Sequence, residues 1–96
     1  MKYVMKQIVF SELHKMAQKD TESELKSETE KWLSKIEKEM PRVKETAKNK
    51  DFIRNIRAYI SDCKHFAKEG KLVLAFEAVV WAWAWLQILR ELEIID

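Results

Sequence analysis

The chain has 96 residues, of which 47% are apolar and 35% charged, and a net charge of +2. That length holds one domain and buries only about 60–65% of the surface its unfolded chain exposes, so stability is thin or is helped by self-association. The apolar fraction excludes a disordered chain, the small net charge excludes a polyanion binder acting through overall charge, and the single cysteine, Cys63, excludes an internal disulfide framework and argues against a cysteine-based zinc site.

Most of the charged residues are Lys and Glu, and there is one Gly and one Pro. Such a composition favours long helices and suits a heat-tolerant host. The first residues, MKYVMKQIVFSELHK, contain no apolar run long enough for a signal peptide and no small-residue cleavage site. The expected location is therefore cytoplasmic.

Residues 1–18 form an N-terminal segment whose apolar residues, among them Val4, Ile8, Leu13 and Met16, give a broad side without a clear period. A helix is the first reading, and KYVMKQIVF is also compatible with a short strand. A bundle domain is expected over 19–96. Its first helix is predicted over 21–48, where Thr21 and Glu24 fit a capping box. Leu25, Thr29, Trp32, Leu33, Ile36, Met40, Val43 and Ala47 follow at three- and four-residue steps and form one stripe. Pro41 lies opposite that stripe, and the stripe continues in phase beyond it. The pattern predicts a kink at Pro41 rather than a break.

A second helix is predicted over 51–69, with Asp51 as N-cap and Gly70 just past the end, where a positive φ is easily adopted. Phe52, Ile53, Ile56, Tyr59, Ile60, Cys63, Phe66 and Ala67 share one arc, and Arg54, Arg57, Lys64 and Lys68 lie on the other side.

A third helix is predicted over 71–94. The stretch EAVVWAWAWL places Trp81, Trp83 and Trp85 at alternate positions, as a strand would. The apolar run from Leu72 to Leu89 is too long for an ordinary strand and rich in Ala. On a helix, Trp81 and Trp85 fall on one flank and Trp83 roughly 160° away from Trp81, beside Phe76. Ala75, Ala78, Ala82 and Leu89 form a seam between the flanks, and Glu77, Gln87 and Glu91 occupy the remaining arc. Small residues in the seam allow close helix approach while the rings fill the grooves. The expectation is a helix wedged between two partners.

The segment from Tyr59 to Leu89 resembles the signature of the archaeal "domain of unknown function 357" family. Tyr59 and Asp62 match its Tyr-x-x-Asp, Phe66 and Gly70 its aromatic before a turn, and Ala75, Ala82 and Trp85 its Ala- and aromatic-rich last helix. The likeness extends more weakly back to about residue 21 and leaves out residues 1–18. It implies an all-α, up-down-up three-helix bundle and no activity. The hairpin is also similar in packing to a tetratricopeptide helix pair through Gly70, Ala75 and Ala82, but one hairpin is not an array. It is similar again to helical domains of the HEPN type, some of which are ribonucleases with an Arg-x4-His motif. Here Arg54 is followed at that spacing by Tyr59, so no nuclease is expected.

No catalytic constellation, metal site or cofactor site emerges. His14 and His65 are far apart in sequence, with no converging ligands, and read as surface histidines. Cys63 reads as a small buried hydrophobe. Glu77 reads as part of the solvent-facing strip of the third helix, ahead of a polar site in an aromatic pocket. The third helix nearly reaches the length of a membrane span, but its central Glu and the two amphipathic helices that need covering argue against insertion. The expected function is that of a non-enzymatic module for protein interaction or self-association, as a homodimer or with a protein partner, through a flank at Trp81, Trp85 and Leu92. The alternative is a nucleic-acid-associated domain using the stripe Arg54, Arg57, Lys64 and Lys68. That stripe lacks interleaved aromatics and is interrupted by Asp62 and Glu69, which favours a solvated helix face.

Overall fold

The computed structural model describes the backbone of residues 10–92 and the side chains of residues 21–92. Residues 1–9, which hold half of the expected N-terminal segment, and residues 93–96, where the third helix was expected to finish, lie outside the described residues. The chain forms helix α1 (Phe10–Glu39), a short 3-10 turn (Met40–Arg42), α2 (Lys50–Lys68) and α3 (Leu72–Leu92). No strand occurs among the described residues. The fold is the expected all-α, up-down-up arrangement.

The expected stripe of α1 faces inward. Ile36 and Met40 are buried, Leu25, Trp32 and Leu33 are half-buried, and Thr29 is buried with its hydroxyl donating to the Leu25 carbonyl at 2.7 Å. That bond to the preceding turn satisfies a polar group that would otherwise be stranded in the core. Two details of the expected helix need correction. The chain is already helical at Phe10, so Thr21 and Glu24 lie inside α1 and do not mark its start. The residues before Thr21, such as Glu12, Leu13, Lys15, Met16 and Ala17, are good helix formers, and this local propensity outweighs the capping pattern.

The second correction concerns Pro41. The helix does not kink there and continue to residue 48. It ends at Glu39, passes through the 3-10 turn, and leaves it at Val43, whose backbone is extended. Pro41 cannot donate to the Glu37 carbonyl, and its ring crowds that carbonyl. A polar clip then offers the chain another set of hydrogen bonds. Asn49 is buried; its Oδ1 accepts from the Thr46 amide at 2.7 Å and its Nδ2 donates to the Lys44 carbonyl at 2.8 Å, while the Asn49 amide donates to Thr46 Oγ1 at 3.2 Å. Val43 still packs on the core, but Ala47 is exposed, so the in-phase stripe does not survive the break.

The α2 arc agrees with expectation: Ile53, Ile56, Ile60 and Cys63 are buried, and Phe52, Tyr59, Phe66 and Ala67 pack beside them. The N-cap is Asn49 rather than Asp51, which sits in the first turn where its charge opposes the helix dipole favourably. The side chain of Asn49 makes no capping bond, because the clip already engages it. At the far end Gly70 has φ +77°. The Gly70 amide donates to the Ala67 carbonyl at 3.1 Å and the Lys71 amide to the Phe66 carbonyl at 2.8 Å. This Schellman geometry satisfies the last carbonyls of α2 and turns the chain into α3.

Helix α3 lies between the other two, and α1 and α2 touch one another far less than either touches α3. Ala75, Ala78, Val79, Ala82, Leu86 and Leu89 are all buried along it. Trp32 meets Trp83 and Glu39 meets Arg90, so α1 and α3 run parallel. Phe52 meets Trp85 and Tyr59 meets Trp81, so α2 and α3 run antiparallel.

An Ala at position 70 would place its Cβ in open space, with nothing within 4 Å. The whole penalty is then the left-handed backbone. Gly70→Ala is expected to destabilise the fold by about 1–2 kcal/mol, read as a lower urea midpoint with an unchanged m-value.

Candidate interaction surface

The three tryptophans of α3 have three different environments. Trp83 points toward α1. Its ring meets Trp32 edge-on at 5.7 Å between centroids, and its indole N–H donates to the Trp32 carbonyl at 3.0 Å. Trp32 is itself fixed by a bond from its indole N–H to Glu28 Oε1 at 3.2 Å, and the ammonium groups of Lys31 and Lys35 lie over its ring at 5.3 and 4.7 Å. Trp85 points toward α2, half-buried and edge-on to Phe52 at 5.5 Å. Trp81 stacks on Tyr59 at 6.3 Å with an interplanar angle of 18°, yet remains 50% exposed.

Trp81 is part of a larger apolar surface. Val73, Leu74, Val80, Ile88 and Leu92 are also exposed on α3, Val73 at 69% and Leu92 at 60%. Of the expected flank, Trp81 and Leu92 therefore lie open, whereas Trp85 is largely taken up by Phe52. Glu77, Gln87 and Glu91 are exposed as expected, but their arc is not a polar strip. Val73, Val80 and Ile88 share it, and the sequence reading missed them. The signal was available, because Val73, Val80 and Ile88 recur at seven- and eight-residue steps and fall on the same helical arc as Glu77, Ala84 and Glu91. A shallow hollow between Lys48, Asn49, Phe52, Leu89 and Leu92 adjoins the Leu92 end. By length and composition α3 could cross a membrane, although in this fold one third of its most apolar window is buried against protein.

The basic residues of α2 do not converge on an open site. Arg57 pairs with Glu45 at 3.7 Å, and Lys64 pairs with Glu37. Arg54 and Lys68 are exposed. His65 is exposed and its Nε2 lies 3.2 Å from Glu69, while the side chain of His14 lies outside the described residues. Among the described residues no group of three His, Cys, Asp or Glu side chains could hold a metal ion. Cys63 is fully buried, and burial first, then the nearby Glu37 charge, push its thiol pKa up, with Lys64 pulling the other way.

Residues 24–95 match the family described as "Protein of unknown function (DUF357)". The chain belongs to that family. It is also similar to the crystal structure of a protein from Archaeoglobus fulgidus that carries the same family assignment. The two are 50% identical, with a TM-score of 0.70, over 75% of this chain and 91% of the other. No curated protein matches. The DUF357 match takes in α2, α3 and the latter half of α1, and begins close to residue 21, the point to which the resemblance in the sequence reached.

Two outcomes follow from these environments. Trp83→Phe keeps a ring against Trp32 but removes the indole N–H, and is expected to cost about 0.5–1.5 kcal/mol, whereas Trp83→Ala is expected to cost about 3–5 kcal/mol; paired urea melts separate the two. The Cys63 thiol holds its proton more tightly in the folded than in the unfolded state. Its contribution is therefore complete below the ordinary thiol pKa and is lost as the pH rises through the raised folded value. Stability measured across the alkaline range should fall more steeply in the native sequence than in Cys63→Ala.

Proposed function

We propose that this DUF357 protein is a non-enzymatic interaction module and that the outer face of α3 is its contact surface. The observation that carries the reading is the half-exposed Trp81, stacked on Tyr59 and continuous with Val73, Val80, Ile88 and Leu92. Tryptophan is a frequent anchor of protein interfaces, because it offers a large apolar area at little cost in side-chain entropy. Here one ring face is already ordered by Tyr59, so little further ordering accompanies binding. The exposed residues form a contiguous face on one helix, rather than the scattered single side chains ordinary on a monomer. The reading is of a cytoplasmic protein whose α3 serves as the central helix of a bundle, with no enzymatic role and no bound cofactor.

Nucleic-acid association through α2 is the second reading. Exposed Arg54 and Lys68 favour it, and the carboxylate partners of Arg57 and Lys64 weaken it. Each phosphate contact needs a cation free to replace counterions.

Trp81→Ala is the test. It leaves the buried seam intact and should retain the helical circular dichroism of the native chain. Native mass spectrometry of the protein purified without detergent should show a self-complex or a complex with one defined protein, and the variant should lose it. An unchanged complex in a folded variant overturns the surface. Co-purified nucleic acid that dissociates steeply with salt, and with charge removal at Arg54 and Lys68, moves the α2 stripe to first place.

A further inference from the structure

Helix α1 is longer than the bundle it belongs to. The pairings Trp32–Trp83 and Glu39–Arg90 set one register along α1 and α3. Carried back along both helices, that register puts Thr21 level with Leu72, where α3 begins. The turn at Gly70 closes α2 onto α3 at the same level. Yet α1 is helical from at least Phe10. The stretch from Phe10 to Asp20 is about 16 Å of helix, by the rise per residue, beyond the end of its neighbours. A continuous helix cannot fold back, so this end of α1 does not reach the outer face of its own α3.

The outer face of α3 and the sequence of the N-terminal segment are complementary. Residues 2–19 contain apolar side chains including Phe10, Leu13 and Met16, and four lysines against Glu12, with Asp20 following. The outer face of α3 is apolar and carries Glu77 and Glu91. The lone cation of α3, Arg90, is held by Glu39 at the seam with α1. Two α3 faces laid against each other would bring the carboxylates of Glu77 and Glu91 together, which disfavours that pairing. An apolar segment rich in lysine meets both requirements of the face. Burying an exposed apolar stripe of this kind also supplies what a small domain most lacks.

We propose that the outer face of α3 in one molecule receives the cationic, apolar N-terminal segment, residues 2–19, of a second copy. The exchange is reciprocal about a twofold axis, as in most homodimers. This inference rests on the α3 face being an interaction surface, and it names the occupant. The family match begins at residue 24, so the dimer contact pairs a surface within the DUF357 unit with a segment this chain carries outside it.

Sedimentation equilibrium of the full chain tests it, with circular dichroism as the control for folding. The native chain should be a dimer. Leu13→Glu with Met16→Glu should weaken dimerisation at least tenfold, and so should Trp81→Ala. Reversing charge at Lys15→Glu and Lys19→Glu should weaken it as well, and adding Glu77→Lys and Glu91→Lys to that variant should restore it substantially. A monomeric native chain overturns the inference, while a complex with another protein would leave the α3 surface itself standing. If Trp81→Ala weakens the dimer but every N-terminal variant leaves it unchanged, the surface stands and this occupant is wrong. If the native chain stays monomeric and binds anionic vesicles through the same lysines, the segment serves a membrane and the inference is likewise overturned.

Discussion

Everything in this fold depends on α3 being apolar nearly all the way round. A helix of that kind buries too little of its surface against a single neighbour, and must be covered on more than one side. α1 covers the Trp83 side and α2 the Trp85 side. The alanines at 75, 78 and 82 make this possible, because their small size brings the flanking helices close while the rings settle in the grooves. The hydrogen bond from Trp83 to the Trp32 carbonyl adds direction to a contact that burial alone leaves free to slide. Two helices cover two sides, and the third side, with Trp81 and Val80, is what remains. The candidate surface is thus a consequence of the same composition that builds the core.

Much of the architecture could be read from residue spacing. The inward positions of α2 were all recoverable, because Ile53, Ile56, Ile60 and Cys63 obey one helical period with charged residues opposite. Gly70 was recoverable because a positive φ selects glycine. Pro41 was misjudged because the period of the apolar residues persists past it, and periodicity carries no information on whether the backbone bonds between them are made. What decides the matter is the clip between Asn49, Thr46 and Lys44, a set of polar contacts with no periodic signature. The start of α1 was misjudged for a related reason, since a capping box is a local pattern and the residues upstream of it favour helix on their own.

The candidate surface was partly legible. Trp81 and Leu92 stood out as a flank too wide for two neighbours, and they are exposed. Trp85 was grouped with them because it lies one turn from Trp81, but the neighbouring helix supplies Phe52 at one level and only the face of Tyr59 at the other. Which ring a partner helix covers depends on the side chains it presents at each level, and one helix's own spacing does not reveal that. The basic stripe shows the same limit, since the carboxylates of Glu37 and Glu45 that meet it come from a different helix and from the connection.

The turn at Gly70 also bears on the order in which the molecule assembles. It joins α2 to α3 through a few residues, so the Phe52–Trp85 and Tyr59–Trp81 contacts close shorter loops than the contact of α1 with α3. The contact between Trp32 and Trp83 spans 51 residues and carries a larger loop-closure entropy. The α2–α3 hairpin is therefore expected to form first, with α1 docking onto it afterwards. Until it does, the ring of Trp83 is open to solvent, and the hairpin presents two uncovered flanks instead of one.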